Sequence, residues 1–151
     1  MKTCKFCGKK KKIEKGWTCA TCKREKGRSS TWYRKQAVSK AKIIAKKRDN
    51  HICQRCGKDG REYQIHGSHV YSEGAHPNMS ADPLNIKALC AQCHMWWHEN
   101  PIEAFVWFKD RFPERYAYLK MKSMESIKIN WQTYSPIEVS VEAIEIINAS
   151  K

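Results

Sequence analysis

The chain has 151 residues, 41% of them apolar, with eight cysteines and a net charge of +14. That size suits one domain, or a small domain with an appendage, and seven glycines and five prolines are too few for a low-complexity chain. The N-terminal MKTCKFCGKK has no apolar h-region, and no apolar run approaches the roughly 18 residues of a membrane helix, so a signal peptide and a membrane span are not expected.

The charge is unevenly spread. Residues 1–48 carry eighteen Lys/Arg against Glu14 and Glu25, a net of +16, whereas the remainder nets −2. Such asymmetry points to a basic arm that meets a polyanion; the plainer reading is a solvated, solubilising tail. In a reducing cytosol, where this sequence is expected to work, eight cysteines read as metal ligands rather than disulfides.

Every cysteine belongs to a C-x-x-C pair: Cys4/Cys7, Cys19/Cys22, Cys53/Cys56 and Cys90/Cys93. A tetrahedral zinc takes four thiolates, so two such knuckles close one structural site. Sequential pairing leaves eleven residues between the first two knuckles and thirty-three between the last two, and crossed pairing stays open. A redox dithiol reading needs one such motif in a βαβ setting, not four. Residues 1–30 read as a DNA-binding zinc ribbon with KKKKIEKGW as its hairpin.

The next segment, SSTWYRKQAVSKAKIIAKKRD, predicts a basic helix over 31–48. Ser29 to Thr31 offer caps, and Trp32, Val38, Ala41, Ile44 and Ala45 form an apolar stripe. Lys9, Lys10, Lys11, Lys12, Arg34, Lys35, Lys42, Lys46, Lys47 and Arg48 are the candidates for contact with a phosphate backbone.

From 49 to 100 the pattern changes. YQIHGSHV has strand composition interrupted by Gly67, SEGAHPNMSADP is dense in turn formers, and AQCHMWWHEN reads as a short helix stopping before Pro101. This is a strand, loop and helix with a knuckle at each end. The histidines His94 and His98 stand four apart on one helical face and can clamp one ion, because Cys90 and Cys93 already complete a thiolate site.

The order His69, Asn85, His94, with LCAQCH after the asparagine and knuckles on both sides, resembles the HNH (ββα-metal) endonucleases. The nine-residue step from Asn85 to His94 and the His94-x-x-x-His98 pair are similar to those of nuclease colicins. GSHV and ADPLN resemble phage recombination nucleases of the NinG/Rap kind. The resemblance implies an α+β fold with a small zinc-stabilised ββα core. It implies a general base at His69, a loop-orienting Asn85, and a catalytic divalent ion (Mg²⁺, Mn²⁺ or another) held by His94, with His98 as a further ligand. Many family members place Asp or His just before the base as another ligand; here that position is Ser68, which leaves fewer protein ligands or a substitute among His66, Asp82 and Asn85. The implied activity is DNA nicking or cleavage in a bacterial or phage-infected cytosol, and the alternative is a non-catalytic double-zinc DNA-binding regulator. The chemistry is coherent on its own terms. Phosphodiester hydrolysis needs a base for water and a cation for the developing charge, and a histidine near neutrality suits the first role.

In the C-terminal extension, 101–151, Pro101 and Pro113 each mark a helix start, with Ile102, Phe105, Val106 and Phe108 as the apolar positions of the first. Trp96, Trp97 and Trp107 read as core residues. SPIEVSVEAIEIINASK predicts an acidic amphipathic helix capped by Ser135, a surface for self-association or a protein partner.

Overall fold

The computed structural model describes residues 1–5, 7–13, 15–22 and 28–138. The expected acidic helix falls mostly on 139–151, outside the described residues. The fold is α+β, built among the described residues on two small antiparallel hairpins and four helices.

At the N-terminus, β1 (Lys2–Thr3) pairs with β2 (Lys10–Lys11). The hairpin therefore wraps the first knuckle and takes only its second strand from KKKKIEKGW. The knuckle itself reverses the chain: Gly8 donates its N–H to Cys4 O, Cys4 N–H donates to Lys9 O, and Gly8 takes a positive φ of 67°.

Helix α1 spans Ser30–Arg48, and the Ser29 hydroxyl caps it by accepting from Trp32 N–H. Its buried face is Ala37, Val38, Ala41 and Ala45, small enough for the helix to lie close on the sheet beneath.

That sheet is the second hairpin, β3 (Ile65–His69) against β4 (Ile86–Cys90), with Ser68 opposite Lys87 and His69 opposite Ile86. Gly67 does not interrupt β3. A Cβ there would meet Lys42 Cγ at 2.8 Å and Ile86 Cγ2 at 3.2 Å, so glycine is what lets α1 settle on the strand. Strand alternation then divides the hairpin. Gly67, His69, Ile86 and Ala88 face α1, while His66, Ser68, Lys87 and Leu89 face the helices that follow.

Those helices are α2 (Ala91–Glu99), α3 (Pro101–Arg111) and α4 (Pro113–Ser123). The main core joins Leu89, Trp97, Ala104, Phe108, Tyr118 and Leu119. Trp97 is buried, and Trp96 and Trp107 pack partly buried on the same core. Of the apolar positions expected in α3, Phe108 is buried and Phe105 half-buried, whereas Ile102 and Val106 are exposed and Ala104 turns inward. No described helix is long and apolar enough to cross a membrane.

Two arginines outside the hairpin hold its entry. Arg48 donates to the carbonyls of Pro83 and Ile86, and Arg115 to those of Leu84 and Ile86. Arg48 was a candidate for phosphate contact; its guanidinium is committed to these carbonyls and to a bidentate pair with Asp49. Burial, then the neighbouring Arg48, pulls Arg115 down to about 9.

Candidate functional site

The thiolates fall into two sets of four, Cys4, Cys7, Cys19 and Cys22, and Cys53, Cys56, Cys90 and Cys93, each with its sulfurs mutually within 4.8 Å. Sequential pairing is thus the one the fold makes. Four thiolates on a zinc at about 2.3 Å stand about 3.8 Å apart. The Cys7–Cys19 and Cys56–Cys90 sulfurs are 4.0 and 3.7 Å apart. Both sets fit a structural zinc, and the second ties the turn before β3 to the start of α2.

His69 closes β3 on the side of α1. Its Nε2 lies 2.8 Å from Ser80 O. A carbonyl only accepts, so Nε2 carries the proton and Nδ1 keeps its lone pair. Nδ1 faces the Glu73 carboxylate at 3.6 Å, and Lys42 Nζ is 3.9 Å from the same carboxylate. Burial lowers the His69 pKa against the raising influence of the Ser80 bond and Glu73. The ring is therefore neutral at physiological pH, with one basic nitrogen.

Asn85 is fully buried at the mouth of β4. Its amide donates to Tyr71 O and Met79 O, and its Oδ1 accepts from Tyr71 N–H. These three bonds pin the loop from 71 to 79 that presents Glu73 and leads into Ser80, whose carbonyl meets His69. Asp82 caps the turn Pro83–Asn85 through Leu84 N–H and accepts from Tyr118 O–H.

The other histidines gather on the opposite face. His66 on β3 places Nδ1 2.9 Å from Nδ1 of His94, in the first turns of α2. His94 in turn places Nε2 3.0 Å from Nε2 of His98. Burial, then the neighbouring His98, His66, Lys87 and Lys42, holds His94 down at about 4, so it is a neutral ring able to offer a lone pair to a cation. His94 and His98 thus sit at ligand spacing, whereas His69 makes no contact with either. His69 shares β3 with His66, and Lys42 lies close enough to influence both His69 and His94. His76, in the loop, packs its ring edge-on against Tyr71.

Lys87 is the residue that sequence reasoning passed over. It is fully buried, with Nζ donating to His69 O and Ser68 Oγ and lying 3.1 Å above the Trp97 ring. Burial, then Arg115, holds its pKa well below the usual lysine range. Ser68, where an acid or histidine was looked for, is buried against this amine. Position 68 thus offers an ion no ligand and faces a buried amine instead.

Of the basic residues named from sequence, Lys9, Lys10, Lys12, Lys35 and Lys47 are exposed. Lys42 is half-buried over Gly67.

Residues 53–98 match the family model of the HNH endonucleases. That match begins at Cys53, ends at His98, and encloses the hairpin, both knuckles of the second thiolate set, and every histidine of the two clusters. No curated protein and no solved structure matches the chain. The match supports a nuclease-type function in general for the segment that it covers.

Proposed function

We propose that the chain is a divalent-metal-dependent HNH endonuclease that nicks or cleaves DNA by phosphodiester hydrolysis, acting in phage recombination or related DNA processing of the NinG/Rap kind. The observation that carries this reading is His69. A neutral imidazole has one nitrogen committed to a carbonyl and the other left basic beside a carboxylate, on β3 and within the same matched segment as α2.

In this reading His69 Nδ1 takes the proton of the attacking water, and Glu73 steadies the imidazolium that forms. Asn85 acts through the loop, keeping Ser80 O and Glu73 on either side of the base. His94 and His98 hold the ion, which supplies charge neutralisation at the phosphate when bound. The two Cys₄ sets hold zinc as structure, and the lysines of the ribbon and the exposed edge of α1 engage the DNA backbone.

The test is nicking of supercoiled plasmid by wild type and His69→Ala, with Mg²⁺, Mn²⁺ or Zn²⁺ and after EDTA. Metal-dependent nicking that vanishes in the variant, with DNA binding kept, supports the assignment. Absence of cleavage on supercoiled, linear, single-stranded and branched DNA under every metal sinks it. That result would favour the second reading, a double-zinc DNA-binding regulator, for which Ser68 facing Lys87 is the specific support.

A further inference from the structure

We propose that His66 is the positioning residue of the ion site, holding His94 in one tautomer so that the Nε2 of His94 is the nitrogen turned to the ion. This inference rests on the reading of His94 and His98 as the ion's ligands.

The argument begins with the strand. Residues 66 and 68 share a face of β3, two positions apart and so about 7 Å from each other along the strand. At 68 the side chain is a short hydroxyl engaged by Lys87, and it offers nothing to α2. At 66 an imidazole reaches across and meets His94 Nδ1 at 2.9 Å. Two rings from different elements, crossing edge to face with centroids 5.2 Å apart, are brought nitrogen to nitrogen.

His94 gives a single ion only one of its nitrogens, and its two nitrogens have different neighbours. Two imidazoles on one ion at about 2.0–2.1 Å place their nitrogens about 2.9–3.4 Å apart. The Nε2 atoms of His94 and His98 are 3.0 Å apart on the exposed side of α2, where a phosphate can approach. Nδ1 of His94 faces the half-buried His66 instead. With Nε2 given to an ion, Nδ1 must carry the proton and donate it. His66 Nδ1 is then the acceptor, and the His66 proton resides on its own Nε2. A metal-bound imidazole is commonly fixed by such a bond on its far nitrogen, the partner being a carboxylate or a carbonyl. Here a histidine takes that part.

The experiment titrates Zn²⁺ into protein already holding its two structural zincs. Isothermal calorimetry reads the third ion, and long-range ¹H–¹⁵N NMR reads the tautomers of His66, His94 and His98. The variants are His66→Ala and His66→Asn; the asparagine Oδ1 takes the place of Nδ1 as an acceptor and is a poor ligand for zinc. The expected result is a 10- to 100-fold weaker third site in His66→Ala, recovered to within about threefold in His66→Asn, with wild-type His94 protonated on Nδ1 when the ion is bound. Equal weakening in both variants, with a zinc-shifted His66 nitrogen in wild type, would make His66 a ligand and overturn the proposal. Unchanged affinity in His66→Ala overturns it as well. If wild type binds no third ion at all, the failure lies with the metal-dependent nuclease reading itself. Circular dichroism of each variant separates a lost site from a lost fold.

Discussion

Replacing Lys87 by methionine tests the centre of the hairpin. The substitution keeps an unbranched stem beside Trp97 and Phe108 and removes an amine that no carboxylate partners among the described residues; its polar contacts are Ser68 Oγ and His69 O. A lysine in the unfolded chain releases its proton near 10.4, whereas burial sets the folded value well below that. Between the two values the unfolded chain binds one proton more, so the wild-type stability rises with pH, by about 1.4 kcal/mol per unit for one proton. Methionine contributes no such slope. From pH 7 to 9 wild type should therefore gain up to about 2.7 kcal/mol relative to Lys87→Met, and the variant should compare best at the acid end. Urea unfolding followed by tryptophan fluorescence at pH 7, 8 and 9, on zinc-loaded protein, measures the gap. A gap that stays constant across that range would mean that Lys87 keeps its charge in the fold, and the reasoning from burial would fail.

Asn85→Ala removes three hydrogen bonds and orphans Tyr71 N–H, Tyr71 O and Met79 O. It should cost about 3 kcal/mol or more in urea unfolding and lower plasmid nicking at least tenfold. Gly67→Ala drives a methyl into Lys42 and Ile86, and thermal unfolding should report a loss of about 1–3 kcal/mol as α1 is pushed off the strand. The lowered pKa of His69 means that the base stays unprotonated to a lower pH than a free imidazole. The acid limb of the nicking rate should therefore turn down below pH 6.5, and a turn at or above that value would contradict the burial argument. Elemental analysis of purified protein should find two firmly held zinc ions per chain, and Cys90→Ser should reduce the count to one; a wild-type value near one would contradict the sequential pairing.

Much of this architecture is written in local spacing. The knuckles, the Ser29 cap and the proline starts of α3 and α4 are each set by a few adjacent residues, so they could be read in line. What escaped depends on partners distant in the chain. Gly67 looked like a break because only the approach of Lys42, twenty-five residues earlier, shows why a side chain cannot stand there. The burial of Lys87 is not legible in IKALC, because a strand buried on both faces gives no alternation by which to judge its neighbours. Arg48 looked like one more cation in a basic helix until the carbonyls of Pro83 and Ile86 were seen to lie against it. His66 was named only as a substitute for a missing ligand, since its meeting with His94 needs the hairpin and α2 to be packed together. The ribbon hairpin starts ahead of the lysine run, since the knuckle supplies its turn and only β2 comes from KKKKIEKGW.

The bonds that close on the hairpin from Arg48 and Arg115 bear on where this protein can be cut. Carbonyls of Pro83, Leu84 and Ile86 are satisfied from α1 and α4, the N–H of Ala88 is bonded by Asp49, and Asp82 by Tyr118. The partners, Arg48, Asp49, Arg115 and Tyr118, all lie outside residues 53–98. A peptide excised at those limits would keep the second thiolate set and every histidine but His51, yet leave its own backbone short of partners at the turn that carries Asn85. The stretch recognisable as a nuclease is therefore smaller than the stretch able to fold as one, which runs at least from the start of α1 to the end of α4.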